Sequence, residues 1–341
     1  MITVDCRKLK HPNTGLYTFC RELILALERA KGDAELCYLF NSKGYKNFTA
    51  DGSRVEHYKI SKLWDRLPIF GNRGLFHSTV QMASAPICGK RVLTIHDLNF
   101  LYEKSEAKAA RYIKRLQREV RGVDYIVAIS EFTKSEIMRH VDIGDTPIEV
   151  IYNGCSLFDG EPTEQPKYRP AGKFLFSMGT ILRKKNFHVL PSILVGNDYE
   201  LIVAGNDSPY SQEIVDEARR YGVEERVHLI GSISEAEKDW YFRNMTAFLF
   251  PSIAEGFGLP VIEAMSYGKP TIISTYTSLP EVGADHCYYL PRDFNPTEMQ
   301  EILKHALESF TPERAKAEIR HAKSFSWDRA AASYLDIYNR L

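Results

Sequence analysis

Strand-length apolar runs recur along this chain in two rounds, each run closed by a polar or glycine/proline turn and followed by a helical or irregular stretch. The first round holds Ile2-Thr3-Val4, Leu36 to Phe40, Arg91 to Ile95, Tyr125 to Ile129 and Ile148 to Ile151. The second holds Phe174 to Met178, Glu200 to Ala204, Val227 to Ile230, Ala247 to Phe250 and Thr271 to Ser274. This rhythm predicts an α/β fold, mainly parallel sheets with helices on their faces. Between the rounds, residues 160–172 are polar and carry three prolines, which suits neither a sheet centre nor a helix interior. The expected plan is a first domain over residues 1–160, a linker over 161–172 and a second domain over 173–325. A length of 341 residues agrees with two cores rather than one. Open parallel sheets bind ligands beyond the carboxyl ends of their strands, so two such domains predict a central cleft that both face. Trp327, Ala331, Tyr334, Leu335 and Tyr338 fall at helical spacing and predict a terminal helix over 326–341.

Charge narrows the partners. Lysine plus arginine equals aspartate plus glutamate at 44 each, but residues 1–160 hold 24 against 19 and residues 161–341 hold 20 against 25. Much of the positive charge lies between Lys104 and Arg121, where Lys108, Arg111, Lys114, Arg115 and Arg118 share a helical register with Ala109, Ala110, Ile113 and Leu116. Such a helix fits either a solvated face or contact with anionic lipid or a charged acceptor. A neutral chain without basic residues interleaved with stacking aromatics does not predict nucleic-acid binding. No apolar run approaches the roughly 20 residues that span a bilayer, and the amino terminus lacks a basic-then-apolar pattern, so a cytoplasmic location is expected. Cysteines at 6, 20, 37, 88, 155 and 287 are scattered, a pattern of isolated thiols rather than of a zinc site or a disulfide framework.

The segment richest in chemistry is Glu255-Gly-Phe-Gly-Leu-Pro-Val-Ile-Glu263, which follows the run Thr246 to Pro251. Pro260 is tolerated in a first helical turn and Val261, Ile262, Ala264 and Met265 supply an apolar face, so strand, glycine loop and helix start are expected in that order. Free amides there can hold phosphate or hydroxyl oxygens, with Glu255 in the loop and Glu263 about one turn into the helix. A tight turn bearing two surface acids is the plainer alternative. Gly179-Thr-Ile-Leu-Arg183-Lys184-Lys185-Asn186 follows another strand of the same round. Its three cations predict a clamp for a charged leaving group in which one or two engage, against simple surface decoration. Gly205-Asn-Asp-Ser208 is a third, weaker strand-end turn. In the first round, His96-Asp97 stands just past an apolar run, which favours a cleft position over a core one. His77 reads as another strand-end histidine. Ser130 reads as a helix N-cap, and Tyr152-Asn153-Gly154 as a turn near the domain boundary. Phosphate-loop and dinucleotide fingerprints, a nucleophile elbow, a His-Glu-x-x-His site and an Asp-x-Asp pair are absent from the sequence.

Taken in order, Gly15, His96, Gly179 to Asn186 and Glu255 to Glu263 resemble the retaining glycosyltransferases of the GT-B fold, family 4, group 1, typified by bacterial mannosyl- and glucosyltransferases. The resemblance spans nearly the whole chain. It implies two Rossmann-like domains, acceptor-binding then nucleotide-sugar-binding, with the terminal helix packing back on the first. It also implies that Glu263 binds the donor ribose hydroxyls, that Glu255 lies near the transferred sugar, and that the backbone of Gly256, Phe257, Gly258 and Leu259 contacts sugar or phosphate. Lys185 matches the family's diphosphate lysine, His96 the histidine near the reacting sugar, and Gly15 the amino-terminal loop that approaches the phosphates. His96, Lys185 and Glu255 are thus the expected catalytic residues. Many members have arginine where this chain has Thr180, so Arg183 or Lys184 is expected to supply the second cation. Glu281 matches a further family loop or caps a helix.

The implied reaction moves a hexose from a nucleotide diphosphate sugar, GDP-mannose in the first instance, to a hydroxyl of a glycan or lipid-linked oligosaccharide in surface polysaccharide synthesis. It implies retention at the anomeric carbon, no metal, no cofactor and no protein base. Glucose, galactose or rhamnose donors fit the same residues. A nucleotide-sugar epimerase or hydrolase, and a non-catalytic nucleotide-sugar-binding protein, are the alternatives.

Overall fold

The computed structural model describes residues 1–12, 14–61, 74–81, 89–156 and 166–341. Asn13 of the first turn, Cys88 and residues 157–165, which include the start of the expected linker, lie outside them. The chain divides into two compact units, Met1–Gly154 with Ser326–Leu341, and Cys155–Phe325.

The first unit is built on a seven-stranded sheet in the order β3-β2-β1-β4-β5-β6-β7. Its strands are β1 (Ile2–Asp5), β2 (Leu36–Phe40), β3 (Tyr58–Ile60), β4 (Leu75–Ser78), β5 (Lys90–Ile95), β6 (Tyr125–Ala128) and β7 (Ile148–Val150). The pairings between them are parallel, so each strand must be reached by a crossover rather than a hairpin. One crossover is the helix Gly15–Ala30, which starts where Thr14 Oγ1 accepts from the Tyr17 N–H at 3.2 Å and buries Phe19, Cys20, Leu23, Ile24, Ala26 and Leu27. Another is the helix Glu131–His140, whose N-cap is Ser130, accepting from the Thr133 N–H at 3.0 Å. The basic segment is two helices, Phe100–Glu103 and Glu106–Val120, with Lys104 at the break between them.

His77 corrects its sequence reading. It lies inside β4 rather than at a strand end, and it is fully buried. Its Nε2 is 2.8 Å from Thr94 Oγ1 and its Nδ1 is 2.6 Å from Tyr338 Oη, while Thr94 Oγ1 is 2.9 Å from Tyr334 Oη. Both tyrosines belong to the helix Trp327–Arg340, so this polar chain fastens the last helix to the sheet of the first unit. Burial, with the nearby His96 adding to it, pushes the His77 pKa down to about 3, which keeps the ring neutral with one nitrogen donating and the other accepting. Trp327 meets Phe19 edge-on at 5.8 Å. A Cβ on Gly154 would fall 2.2 Å from the Trp327 nitrogen, so that close approach needs glycine.

The second unit carries a six-stranded parallel sheet in the order β10-β9-β8-β11-β12-β13. Its strands are β8 (Phe174–Met178), β9 (Glu200–Ala204), β10 (Val227–Gly231), β11 (Ala247–Phe250), β12 (Thr271–Ile273) and β13 (Tyr288–Tyr289). Leu175, Leu201, Val203, Leu249 and Ile272 pack with Phe187, Leu190, Ile193 and Ile214 in one fully buried core. Fully burying each such side chain contributes roughly 1.5–3 kcal/mol. The order reverses at β8, which has β9 on one side and β11 on the other. Such a reversal is where open α/β sheets bind ligands, and the two loops singled out by sequence leave these adjacent strands. Gly205, just past β9, touches the loop after β8: a Cβ there would lie 1.8 Å from the Gly179 carbonyl oxygen. Among the described residues no helix is long and apolar enough to cross a membrane.

Candidate active site

After β8 the chain runs through Gly179 and Thr180 to a 3-10 turn, Arg183–Lys185, closed by Asn186 in the left-handed conformation at φ 59°. This turn separates the three cations. Arg183 points outward, pairs with Glu213 on the helix Ser211–Arg220 and lies 5.7 Å from the Tyr210 ring centre. Lys184 is half-buried, and its carbonyl accepts from the Ile253 N–H at 2.9 Å, tying the β8 loop to the β11 loop. Lys185 turns back under the strand ends. Its Nζ donates to Glu255 Oε1 and sits 4.9 Å from the Phe250 ring centre. The Lys185 stem passes close to Gly179, where a Cβ would lie 3.3 Å from Lys185 Cε. Thr180 is half-buried beside it.

The β11 loop is held from several sides. Ser252 Oγ donates to Glu255 Oε1 at 2.6 Å, and the Glu255 N–H donates to Thr277 Oγ1 at 3.0 Å. Thr277 has φ 53°, an uncommon conformation for a β-branched residue, and the fold sustains it where its hydroxyl meets the Glu255 backbone. Ser278 Oγ lies 3.1 Å from the Glu255 carbonyl and 3.0 Å from that of Phe257. Gly256, Phe257 and Gly258 are buried, and the Phe257 ring packs edge-on against Phe325 at 5.5 Å, so this stretch offers backbone rather than side chains. Gly258 caps the helix Leu259–Met265 at φ 111°, with Pro260 in the first turn.

Glu263, in that helix, is buried. Its Oε1 is 3.0 Å from Nζ of Lys238, which also reaches Glu235 Oε2 at 2.7 Å. Sequence reasoning passed over Lys238. It lies on a different helix, Glu235–Asn244, and no spacing rule links position 238 to position 263. Glu281 is half-buried in the short helix Leu279–Gly283.

In the first unit, His96 follows β5 directly and is 6% exposed. Its Nε2 is 2.8 Å from the Thr79 carbonyl, an acceptor only, so Nε2 carries the proton and Nδ1 of the neutral ring is the acceptor. Phe19 meets the ring edge-on at 4.5 Å, and Gln81 Oε1 accepts from the His96 N–H at 3.1 Å. Burial, against the opposing pull of the Thr79 bond, brings the His96 pKa down to about 4. Asp97 Oδ1 accepts from the Asn99 N–H at 2.9 Å. Gly15 opens the first helix and is exposed, and among the described residues no heavy atom beyond its chain neighbours and its own helix backbone lies within 4 Å of a would-be Cβ. The fold itself therefore does not require glycine there. Among the described residues no group of three or more His, Cys, Asp or Glu is placed to hold a metal ion.

Residues 15–157 match the family described as Glycosyltransferase Family 4, and residues 162–323 the family described as Glycosyl transferases group 1. The chain is 24% identical to the O-antigen chain mannosyltransferase RfbU of Salmonella typhimurium, over 85% of this chain and 86% of the relative. It is 27% identical to the O-antigen chain mannosyltransferase B of Escherichia coli, over 74% of this chain and 71% of the relative. Among solved structures, Anabaena HepE in complex with UDP and glucose matches with a TM-score of 0.71 at 14% identity, covering 100% of this chain and 99% of that one. That last likeness is one of fold. With an amino-terminal match and a carboxyl-terminal match that between them take in most of the chain, this protein belongs to the family 4, group 1 glycosyltransferases and has their GT-B fold.

Proposed function

We propose that this glycosyltransferase moves mannose from GDP-mannose to a hydroxyl of a glycan or lipid-linked oligosaccharide in surface polysaccharide synthesis, with retention at the anomeric carbon and without a metal ion. The observation that carries the reading is the arrangement after β8 and β11. Lys185 is held on Glu255, with Glu263 in the helix that follows, at the strand-order reversal where such sheets bind ligands. In this reading Lys185 stabilises the departing diphosphate, Glu255 lies by the transferred sugar, Glu263 takes the ribose hydroxyls, and the backbone from Gly256 to Leu259 lines sugar or phosphate. Thr180 and Lys184 border the diphosphate. Arg183, turned to Glu213, reaches it only by changing rotamer. His96, neutral near pH 7, offers Nδ1 as an acceptor for a sugar hydroxyl, and Gly15 leaves room for the donor phosphates.

The choice of mannose is supported by the names of the two relatives. The test is a panel of nucleotide sugars scored by ligand-induced stabilisation, followed by transfer to a candidate acceptor with the product anomer read by NMR. Selective stabilisation by GDP-mannose and an α-linked product support the proposal. Selective stabilisation by a UDP-sugar overturns the donor, an inverted product overturns the mechanism, and donor breakdown without transfer favours the epimerase or hydrolase.

Membrane contact is the second part of the proposal. Lys108, Arg111, Lys114, Arg115 and Arg118 are exposed along the helix Glu106–Val120, while Ala109, Leu116 and Val120 face inward. Exposed Tyr102 and Tyr112 stand on the same segment. A basic face edged with tyrosine suits an anionic headgroup layer, where each cation near the surface contributes about 1 kcal/mol. Retention on anionic but not neutral vesicles at low salt is expected. Equal recovery from both sinks this part.

A further inference from the structure

Glu263 is bound into a three-residue charge relay running inward from the surface. Glu235 is outermost, with its side chain 74% exposed; Lys238 comes next at 12%, and Glu263 is innermost at 9%. The Lys238 ammonium touches both acids, at 2.7 Å and 3.0 Å. Burial alone would lower the Lys238 pKa, but the two carboxylates, Glu263 foremost, outweigh it and raise it, so the lysine is charged. Stability does not explain such an arrangement: a buried ion pair is often matched or bettered by apolar side chains of similar volume. What an ion pair does supply is a fixed direction and a cancelled charge. A bare carboxylate in the helix that follows the proposed diphosphate loop would repel the donor, and an unanchored one would not hold a single rotamer.

We infer that Lys238 is a positioning residue for the nucleoside end of the donor site, fixing the Glu263 carboxylate for the ribose hydroxyls and offsetting its charge against the incoming diphosphate. This rests on the reading of Glu263 as the ribose ligand. Lys238 acts through Glu263 and makes no contact with the reacting sugar. Glu235 steadies the lysine from outside, which makes it the weaker contributor because it is mostly exposed.

The experiment compares binding of a nucleoside diphosphate, GDP or UDP, whichever wild type holds tighter, with binding of its 2′,3′-dideoxy analogue by calorimetry. Wild type should prefer the ribose form by about tenfold or more, and Glu263→Gln should lose that preference. Lys238→Met should also lose it. The double variant should bind no worse than Glu263→Gln alone, because both changes break one device. Lys238→Arg, which keeps the charge and guards against a variant that does not fold, should restore most of the preference. If wild type and Glu263→Gln discriminate equally, the ribose reading of Glu263 falls. If Glu263→Gln loses the preference while Lys238→Met keeps it, or if the two losses add, the ribose reading stands and the positioning role of Lys238 is overturned.

Discussion

Lys185 and Glu255 form an ion pair across the adjacent ends of β8 and β11, with their side chains only 12% and 13% exposed. An ammonium has three donors, so Lys185 can keep Glu255 and still reach a phosphate oxygen, but part of its charge is already committed. Glu255→Gln is therefore expected to tighten nucleoside diphosphate binding by about threefold while slowing sugar transfer by about tenfold or more. Calorimetry and steady-state rates measured on the same preparation check it. Weaker binding together with unchanged turnover would refute this account of the pair.

Gly15 gives a clean probe of ligand approach. Among the described residues, a Cβ there meets no heavy atom within 4 Å beyond its chain neighbours and its own helix backbone, and the residue is not in a left-handed conformation. Gly15→Ala should leave the melting temperature unchanged or slightly raised, since alanine has less conformational freedom to lose on folding than glycine. Donor KM should nevertheless rise by about tenfold if the phosphates pass close to this backbone. An unaltered KM places the donor elsewhere.

Glu318 predicts a pH dependence of folding. It is fully buried, and neither carboxyl oxygen has a hydrogen-bond partner among the described residues. Burial, only partly opposed by Arg314, pushes its pKa up to about 9 from an ordinary 4.5. The native state thus holds a proton that the unfolded chain releases, and stability is lost as pH rises from 4.5 towards 9. Glu318→Gln should stabilise the protein at pH 8 by on the order of 3 kcal/mol and hardly at all at pH 4.5. Urea midpoints at the two pH values decide this; a pH-independent difference would contradict it.

The buried histidines act at the other end of the scale. His77 is lowered to about 3 and His96 to about 4 by burial, against an ordinary 6.5. For each, the unfolded chain binds the proton more readily, so stability is complete above pH 6.5 and falls as pH drops towards the native pKa. Acidification from pH 7 to 4.5 should cost on the order of 2 kcal/mol per histidine. A His96→Gln variant should show a shallower acid slope than wild type in the same titration.

Strand bounds read from the sequence match residue for residue at β2, β8, β9 and β11, each of which holds at least three consecutive apolar residues. The pattern predicts neither β3, which exposes Tyr58 and Lys59, nor the two-residue β13, and of β4 it predicts only a strand end at His77, because the apolar run there is two residues long. The order of the site loops could be read because glycine and proline mark them. Their pairing could not. Arg183, Lys184 and Lys185 are equivalent in composition, and only the 3-10 turn ending in left-handed Asn186 sends one to Glu255 and another to Glu213. Nor does any local rule foretell that Lys238 answers Glu263, or that Thr94 and His77 would fasten Tyr334 and Tyr338.

The central claim is that Lys185 carries the charge of the departing diphosphate. It is tested most directly by the rate of sugar transfer in Lys185→Ala with the donor and acceptor that wild type uses, alongside its melting curve. The account predicts a rate lower by about 100-fold or more with a cooperative unfolding transition retained. Transfer at the wild-type rate by the folded variant would contradict it.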